Sequence, residues 1–222
     1  MTMKSILTEF QKEVLDVLSK NKFITDNFYL SGGTALSEFY FQHRLSEDLD
    51  FFSANEIDYQ MLASYIKPIF KKIGVNVVDY QQGITAKIFF LKKGKTEKLK
   101  TDFNFWAFER TKKDKKYNDL EIDNLFDIAV NKIDTILSRE KARDFIDLYL
   151  ILKNTKEFNF EDILKGLRIK YDWVADPLYL GTRLIMIKGL FDYPKMLVPF
   201  DKEKMVAYFL DLARSQKSKI IK

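Results

Sequence analysis

The 222-residue sequence predicts an α/β (α+β) protein, a mixed sheet flanked by helices and followed by a helical domain. Three observations carry that prediction. A short apolar run closed by Ser31-Gly32-Gly33 sits between two stretches of helical spacing. Three segments between residues 75 and 106 are rich in β-branched and aromatic side chains, and the last alternates strictly. Beyond residue 123 apolar residues recur almost wholly at helical spacing, so the expected domains are 1–122 and 123–222.

Taken in order, Ile6, Leu7, Phe10, Val14, Leu15 and Leu18 recur with Lys and Glu between them, which opens the chain with an amphipathic helix. Phe28, Tyr29 and Leu30 read as a strand, the glycine pair as a turn, and Thr34, Ala35 and Leu36 as the start of a helix reaching about Gln42. A buried strand is expected over 49–52 and a helix over 59–73, with Leu62, Tyr65, Ile66, Ile69 and Phe70 on one side. Strands follow over 75–80, 84–91 and 99–106, the last setting Leu99, Thr101, Phe103 and Phe105 against Lys100, Asp102, Asn104 and Trp106. Helices are expected over 125–137, 142–152, 160–169 and 202–213, with another opened by Asp176 as N-cap and Pro177 in the first turn. The lysine clusters at 92–100 and 112–116 fall at strand ends or loops and read as solvated turns. Arg214, Lys217, Lys219 and Lys222 read as a solvated basic terminus.

Composition narrows the chemistry. With no Cys there is no disulfide framework, thiolate zinc site or cysteine nucleophile, and one His rules out a multi-histidine metal centre. The hydrophobic fraction of 46% with 20 Phe and 11 Tyr is ample for a packed core. Glu9, Glu13 and Asp16 interrupt the first apolar stretch, so it is no signal peptide, and no window nears the roughly 20 apolar residues that cross a bilayer. These features point to a soluble cytoplasmic protein with no membrane partner. A net charge of +5 is compatible with an RNA partner without requiring one.

The chemistry concentrates in Ser31-Gly32-Gly33-Thr34-Ala35-Leu36 and in the stretch His43-Arg44-Leu45-Ser46-Glu47-Asp48-Leu49-Asp50-Phe51-Phe52. Two glycines between a strand and a helix let backbone amides approach an anion, usually phosphate. Asp48 and Asp50, two apart on a strand, project from one face while Leu49 and Phe51 turn to the core. Like charges held side by side repel, and a divalent cation with hard oxygen preference relieves the repulsion. Magnesium commonly uses one or two carboxylates together with substrate phosphates, so the turn and the carboxylate pair ask for one ligand, a nucleotide with its metal.

This arrangement resembles the nucleotidyltransferase superfamily that shares its palm with DNA polymerase β. More closely, GGTALS followed by HR-x-S-x-D-x-D-F-F is similar to the AbiEii family of abortive-infection toxin nucleotidyltransferases. The resemblance implies a polymerase-β-like nucleotidyltransferase domain and a third carboxylate on a later strand. Asp102 is the candidate, on the polar face of its strand, with Asp79 as the alternative. Asn131-Lys132-Ile133-Asp134 and the segment from Arg139 through Lys141, Arg143, Asp144 and Asp147 to Tyr149 are similar to the family's K-x-D helix and its R-x-K-x-R-D-x-x-D-L-Y segment. The resemblance makes Lys132 a triphosphate contact. On helical spacing alone Asp144 and Asp147 share a face, and with the nearby cations they read equally as an ion-paired helix junction.

The expected site therefore has Asp48, Asp50 and Asp102 as catalytic carboxylates holding Mg2+, with Mn2+ as an alternative, and a nucleoside triphosphate as substrate. Ser31, Gly32, Gly33, Thr34, Arg44, Lys132, Asp134, Arg143 and Asp147 form the expected nucleotide-binding set, in a cleft between the two domains. His43 is read as structural and Ser46 as a cap or turn residue. The implied reaction moves a nucleotidyl group to an acceptor hydroxyl, with release of pyrophosphate. By resemblance the acceptor is an RNA such as a tRNA 3′ end, and a separately encoded antitoxin protein is the partner. A protein or small-molecule hydroxyl as acceptor, a D-x-D glycosyltransferase and a non-catalytic interaction module stay open on the residues alone.

Overall fold

The structure, a computed structural model, describes residues 5–220, so Lys222 of the basic terminus lies outside the described residues. The chain divides into two compact units, Met1–Asn124 and Leu125–Lys222.

The first unit is built on a seven-stranded mixed sheet in the order β3-β4-β5-β2-β1-β7-β6. Its strands are β1 (Tyr29–Ser31), β2 (Leu49–Ser53), β3 (Val75–Gln82), β4 (Ala86–Lys93), β5 (Glu97–Phe105), β6 (Lys115–Tyr117) and β7 (Leu120–Ile122). β2 runs antiparallel to β1 and parallel to β5, and β1 runs parallel to β7. Helix α1 (Glu9–Leu18) starts at a capping box in which the Thr8 side chain accepts from the Gln11 backbone and Gln11 reaches back to the Thr8 amide. Helix α4 (Tyr59–Lys72) is capped by Asp58. Both helices meet the sheet, α1 at β5 and α4 at β3.

Period-two alternation decides which face becomes core. Leu49 and Phe51 of β2, Thr101 and Phe103 of β5 and Phe89 of β4 are registered neighbours, and all are buried. The Phe51 and Phe103 rings stack at 4.9 Å, and Phe89 meets Phe103 edge-on at 5.8 Å. The opposite face at these positions carries Asp50, Lys100 and Asp102, each half-buried.

The second unit is helical, with α5 (Leu125–Ser138), α6 (Ala142–Asn154), α7 (Phe160–Tyr171), α8 (Pro177–Ile185) and α9 (Lys202–Ile220). Their apolar stripes supply a core that includes Ile133, Phe145, Ile163, Leu184 and Phe209, with Phe145 and Phe209 edge to face at 5.1 Å. Asp176 caps α8 through the Tyr179 amide, with Pro177 in the first turn. No helix among the described residues is long and apolar enough to cross a membrane.

The mixed α/β class and the helical second half accord with the sequence. Several elements differ from expectation, among them the strand β7 at Leu120–Ile122, which lies outside the strands expected from the sequence. A short helix, α2 (Lys22–Asn27), precedes β1, capped by the Asn21 side chain. The helix after the glycine turn is five α-helical residues, α3 (Gly32–Leu36), continued by a π-helical turn over Ser37–Phe41 that ends at Gln42 in the left-handed region. The second lysine cluster, expected as a solvated loop, contributes Lys115 and Lys116 to β6, which pairs with β7.

Candidate active site

Strand register assembles the site. Ser31 ends β1 opposite Asp50 of β2, and Asp50 lies beside Asp102 of β5, so the three residues form a row across neighbouring strands. Asp48 precedes β2 by one residue and lies within ion-pairing distance of the same lysine as Asp102. Asp79 is on the outer strand β3, opposite Phe90 and exposed. Strand order therefore puts Asp102, and not Asp79, next to the Asp pair.

The glycines are required by their surroundings. Gly32 has φ +74°, and a Cβ there would strike the Asp50 carboxylate, with Cγ at 3.1 Å. A Cβ on Gly33 would strike the Arg44 guanidinium and come within 3.2 Å of Ser46 Oγ. Arg44 is buried and donates from Nη1 to its neighbour Leu45 carbonyl at 2.9 Å, so it backs the turn from within the loop. The Thr34 hydroxyl, fully buried, donates to the Asp48 carbonyl at 2.5 Å and ties α3 to the start of β2. Gln11 Nε2 donates to the Ser46 carbonyl at 2.8 Å, anchoring the same loop to α1. His43 is buried, with Nδ1 3.5 Å from Ser37 Oγ.

Two residues entered no site assignment from sequence. Asp123, one residue past β7, is fully buried and accepts from Ser31 Oγ at 2.6 Å. Its carbonyl accepts from Tyr40 Oη at 2.8 Å, so the π-helical turn, β1 and β7 are joined at one point. The adjacency of β1 and β7, 92 residues apart at this contact, is what the sequence lacks. The other is Lys100, whose Nζ lies 2.5 Å from Asp102 Oδ2 and 3.7 Å from Asp48 Oδ2. Its alternation with Asp102 on β5 was the available signal.

Electrostatics follow from this crowding. Burial pushes the Asp102 carboxyl above the ordinary carboxylate range and the Asp48 charge adds to the rise, against the Lys100 hydrogen bond and charge. Burial works to lower the Lys100 ammonium, but its hydrogen bond to Asp102 and the charges of Asp102, Asp48 and Asp50 leave it raised. Among the described residues no three acidic or histidine side chains close tightly enough to form a ready metal cage. The donor set still fits a hard divalent cation. Asp50 lies in register beside Asp102, the Lys100 ammonium links Asp102 to Asp48 in the role of cation, and Oδ1 of Asp102 is shut from solvent without a hydrogen bond.

In the helical unit the K-x-D and R-x-K-x-R-D segments meet. Lys132 Nζ bridges Asp144 Oδ1 at 2.8 Å and Asp147 Oδ2 at 2.7 Å, and all three residues are buried. Arg139 adds Nε to Asp144 Oδ2 at 2.9 Å. Although burial alone would raise the Asp144 carboxyl, Lys132 and Arg139 hold it below the ordinary range. Burial raises Asp134, with Lys170 opposing. Arg143 and Asp134 are half-exposed. The cluster locks α5 to α6.

Solved structures share this architecture. JHP933 from Helicobacter pylori aligns with a TM-score of 0.60 at 21% identity, covering 96% of this chain and 94% of that one. MenT4, a nucleotidyltransferase toxin from Mycobacterium tuberculosis, aligns with a TM-score of 0.55 at 14% identity, covering 92% of this chain and 82% of that one. At these identities the likeness is one of fold. No curated protein matches the chain. The family profile described as "Nucleotidyl transferase AbiEii toxin, Type IV TA system" matches residues 16–200, a span that holds the glycine turn, the D-x-D pair, Asp102 and the Lys132 cluster. The chain belongs to the AbiEii family of nucleotidyltransferase toxins of type IV toxin-antitoxin systems.

Proposed function

We propose that this toxin transfers a nucleotidyl group from a nucleoside triphosphate to an RNA hydroxyl, such as a tRNA 3′ end, using Mg2+ held by Asp48, Asp50 and Asp102. The observation that carries the reading is the register of Asp50 beside Asp102, with the Gly32 backbone pressed against the Asp50 carboxylate. The turn at Gly32 and Gly33 leaves no side chain between the backbone and a phosphate group, so its amides approach the triphosphate. Thr34, Arg44 and Gln11 hold the loop that delivers Asp48, while Ser31, bonded to Asp123, fixes the end of β1 beneath the turn. Asp48, Asp50 and Asp102 would hold the divalent ion, which would supply Lewis-acid stabilisation of the charge that develops at the α-phosphate. In this reading Asp102 takes the proton of the attacking hydroxyl. Within the helical unit Lys132, with Asp144 and Asp147, braces α5 against α6, and Asp134 and Arg143 are half-exposed. The family implies a cognate antitoxin, which we take to be separately encoded.

The test is incubation with each radiolabelled triphosphate, Mg2+ and total cellular RNA, with the Asp48→Asn/Asp50→Asn double variant as control. Label in RNA from the wild type alone is the expected result. Label in protein or small molecules moves the acceptor elsewhere, and no label in any fraction overturns the reading.

A further inference from the structure

We infer that Lys100 is a tethered cation that holds the place of the divalent ion between Asp48 and Asp102 until metal and nucleotide arrive, an inference that rests on the metal-site reading above. Its Nζ reaches Asp102 Oδ2 at 2.5 Å and Asp48 Oδ2 at 3.7 Å, oxygens of two carboxylates assigned to the metal. Lys100 is two residues before Asp102 on β5, so the pleat sets both side chains on the same face and anchors the lysine stem in the sheet. Asp48 and Asp102 carry like charge beside one another, as their shared ion pairing with Lys100 shows, and the ammonium relieves that repulsion without a metal.

A compact ammonium on a flexible four-carbon stem can leave without any backbone movement. The Lys100 side chain is 32% exposed, so a route outward exists. An ammonium and a hard divalent ion compete for the same oxygen lone pairs, so metal entry displaces Lys100. The phosphates of an incoming nucleotide offer the released ammonium a new anion. Metal and nucleotide binding are thereby coupled, each strengthening the other.

Electron paramagnetic resonance titration of the full chain with Mn2+, without nucleotide, tests this in the wild type and in Lys100→Met, which keeps the stem and removes the charge. The variant is expected to bind Mn2+ about tenfold more tightly, the worth of one charge-assisted hydrogen bond. It is also expected to melt below the wild type in chelator and to recover when Mg2+ is added. A non-hydrolysable triphosphate analogue should then raise Mn2+ affinity more in the wild type than in the variant. Lys100→Gln serves as a second neutral variant if the methionine chain does not fold in chelator. Unchanged or weaker Mn2+ binding by a folded variant, with the wild type still binding, overturns the role of Lys100 alone. Failure of both proteins to bind Mn2+ overturns it together with the metal-site reading.

Discussion

Gly32 shows how one residue can be demanded twice. Its φ of +74° disfavours any residue with a Cβ, and the Asp50 carboxylate occupies the space that a Cβ would need. Gly32→Ala should cost about 1–2 kcal/mol from the left-handed conformation alone. The added methyl must also push Asp50 out of its row with Ser31 and Asp102. The expected outcome is a lowered urea midpoint together with loss of nucleotide incorporation. Retention of full incorporation would show that the position of Asp50 is unimportant. The D-x-D pair was legible because residues two apart in extended chain share a face whatever the chain packs against, although Asp48 itself lies just before β2. Lys100 and Asp123 were not, because what each touches is set by chain positions far away in sequence or by how closely side chains crowd.

At the scale of elements, the Lys132 cluster joins α5 to α6 through charges that are buried and mutually satisfied. Removing one partner of such a cluster leaves uncompensated charge in a dry interior. Lys132→Ala should therefore destabilise the protein by about 3–5 kcal/mol. Arg139→Ala, which removes a side chain 45% exposed, should cost about 1 kcal/mol or less. Urea denaturation of both variants separates the two cases, and equal losses would contradict the burial argument. The same cluster predicts acid sensitivity. Asp144 is held below its ordinary value, so its contribution is complete above about pH 4 and is lost as pH falls through the lowered folded value. Asp134 is raised by burial, so its contribution has the reverse sense, present at low pH and fading as pH rises through the raised folded value. Thermal midpoints measured from about pH 5 to pH 2 should fall steeply in the wild type and less steeply in Asp144→Asn. The long helices here were legible from spacing. The six-residue α2 was too short for periodicity to register, and β6 and β7, three residues each, exist only through their neighbours in the sheet.

For the whole molecule, the net charge of +5 bears on the acceptor. If the acceptor is RNA, transfer at limiting RNA should fall at least about tenfold between about 50 and 200 mM salt, because phosphate contacts release counterions. A flat salt profile would instead indicate a small or uncharged acceptor. The division into an α/β unit and a helical unit follows from a change in hydrophobic period, which any window of sequence reports. Local pattern likewise determined the glycine turn, the paired aspartates and the capped helices, since each depends on residues within a few positions of one another. Only the tertiary structure decided that Asp102 rather than Asp79 joins them, that Ser31 answers to Asp123 and that Lys100 stands among the carboxylates. Strand order and register are settled by packing across the whole sheet, and no short stretch of chain contains that information.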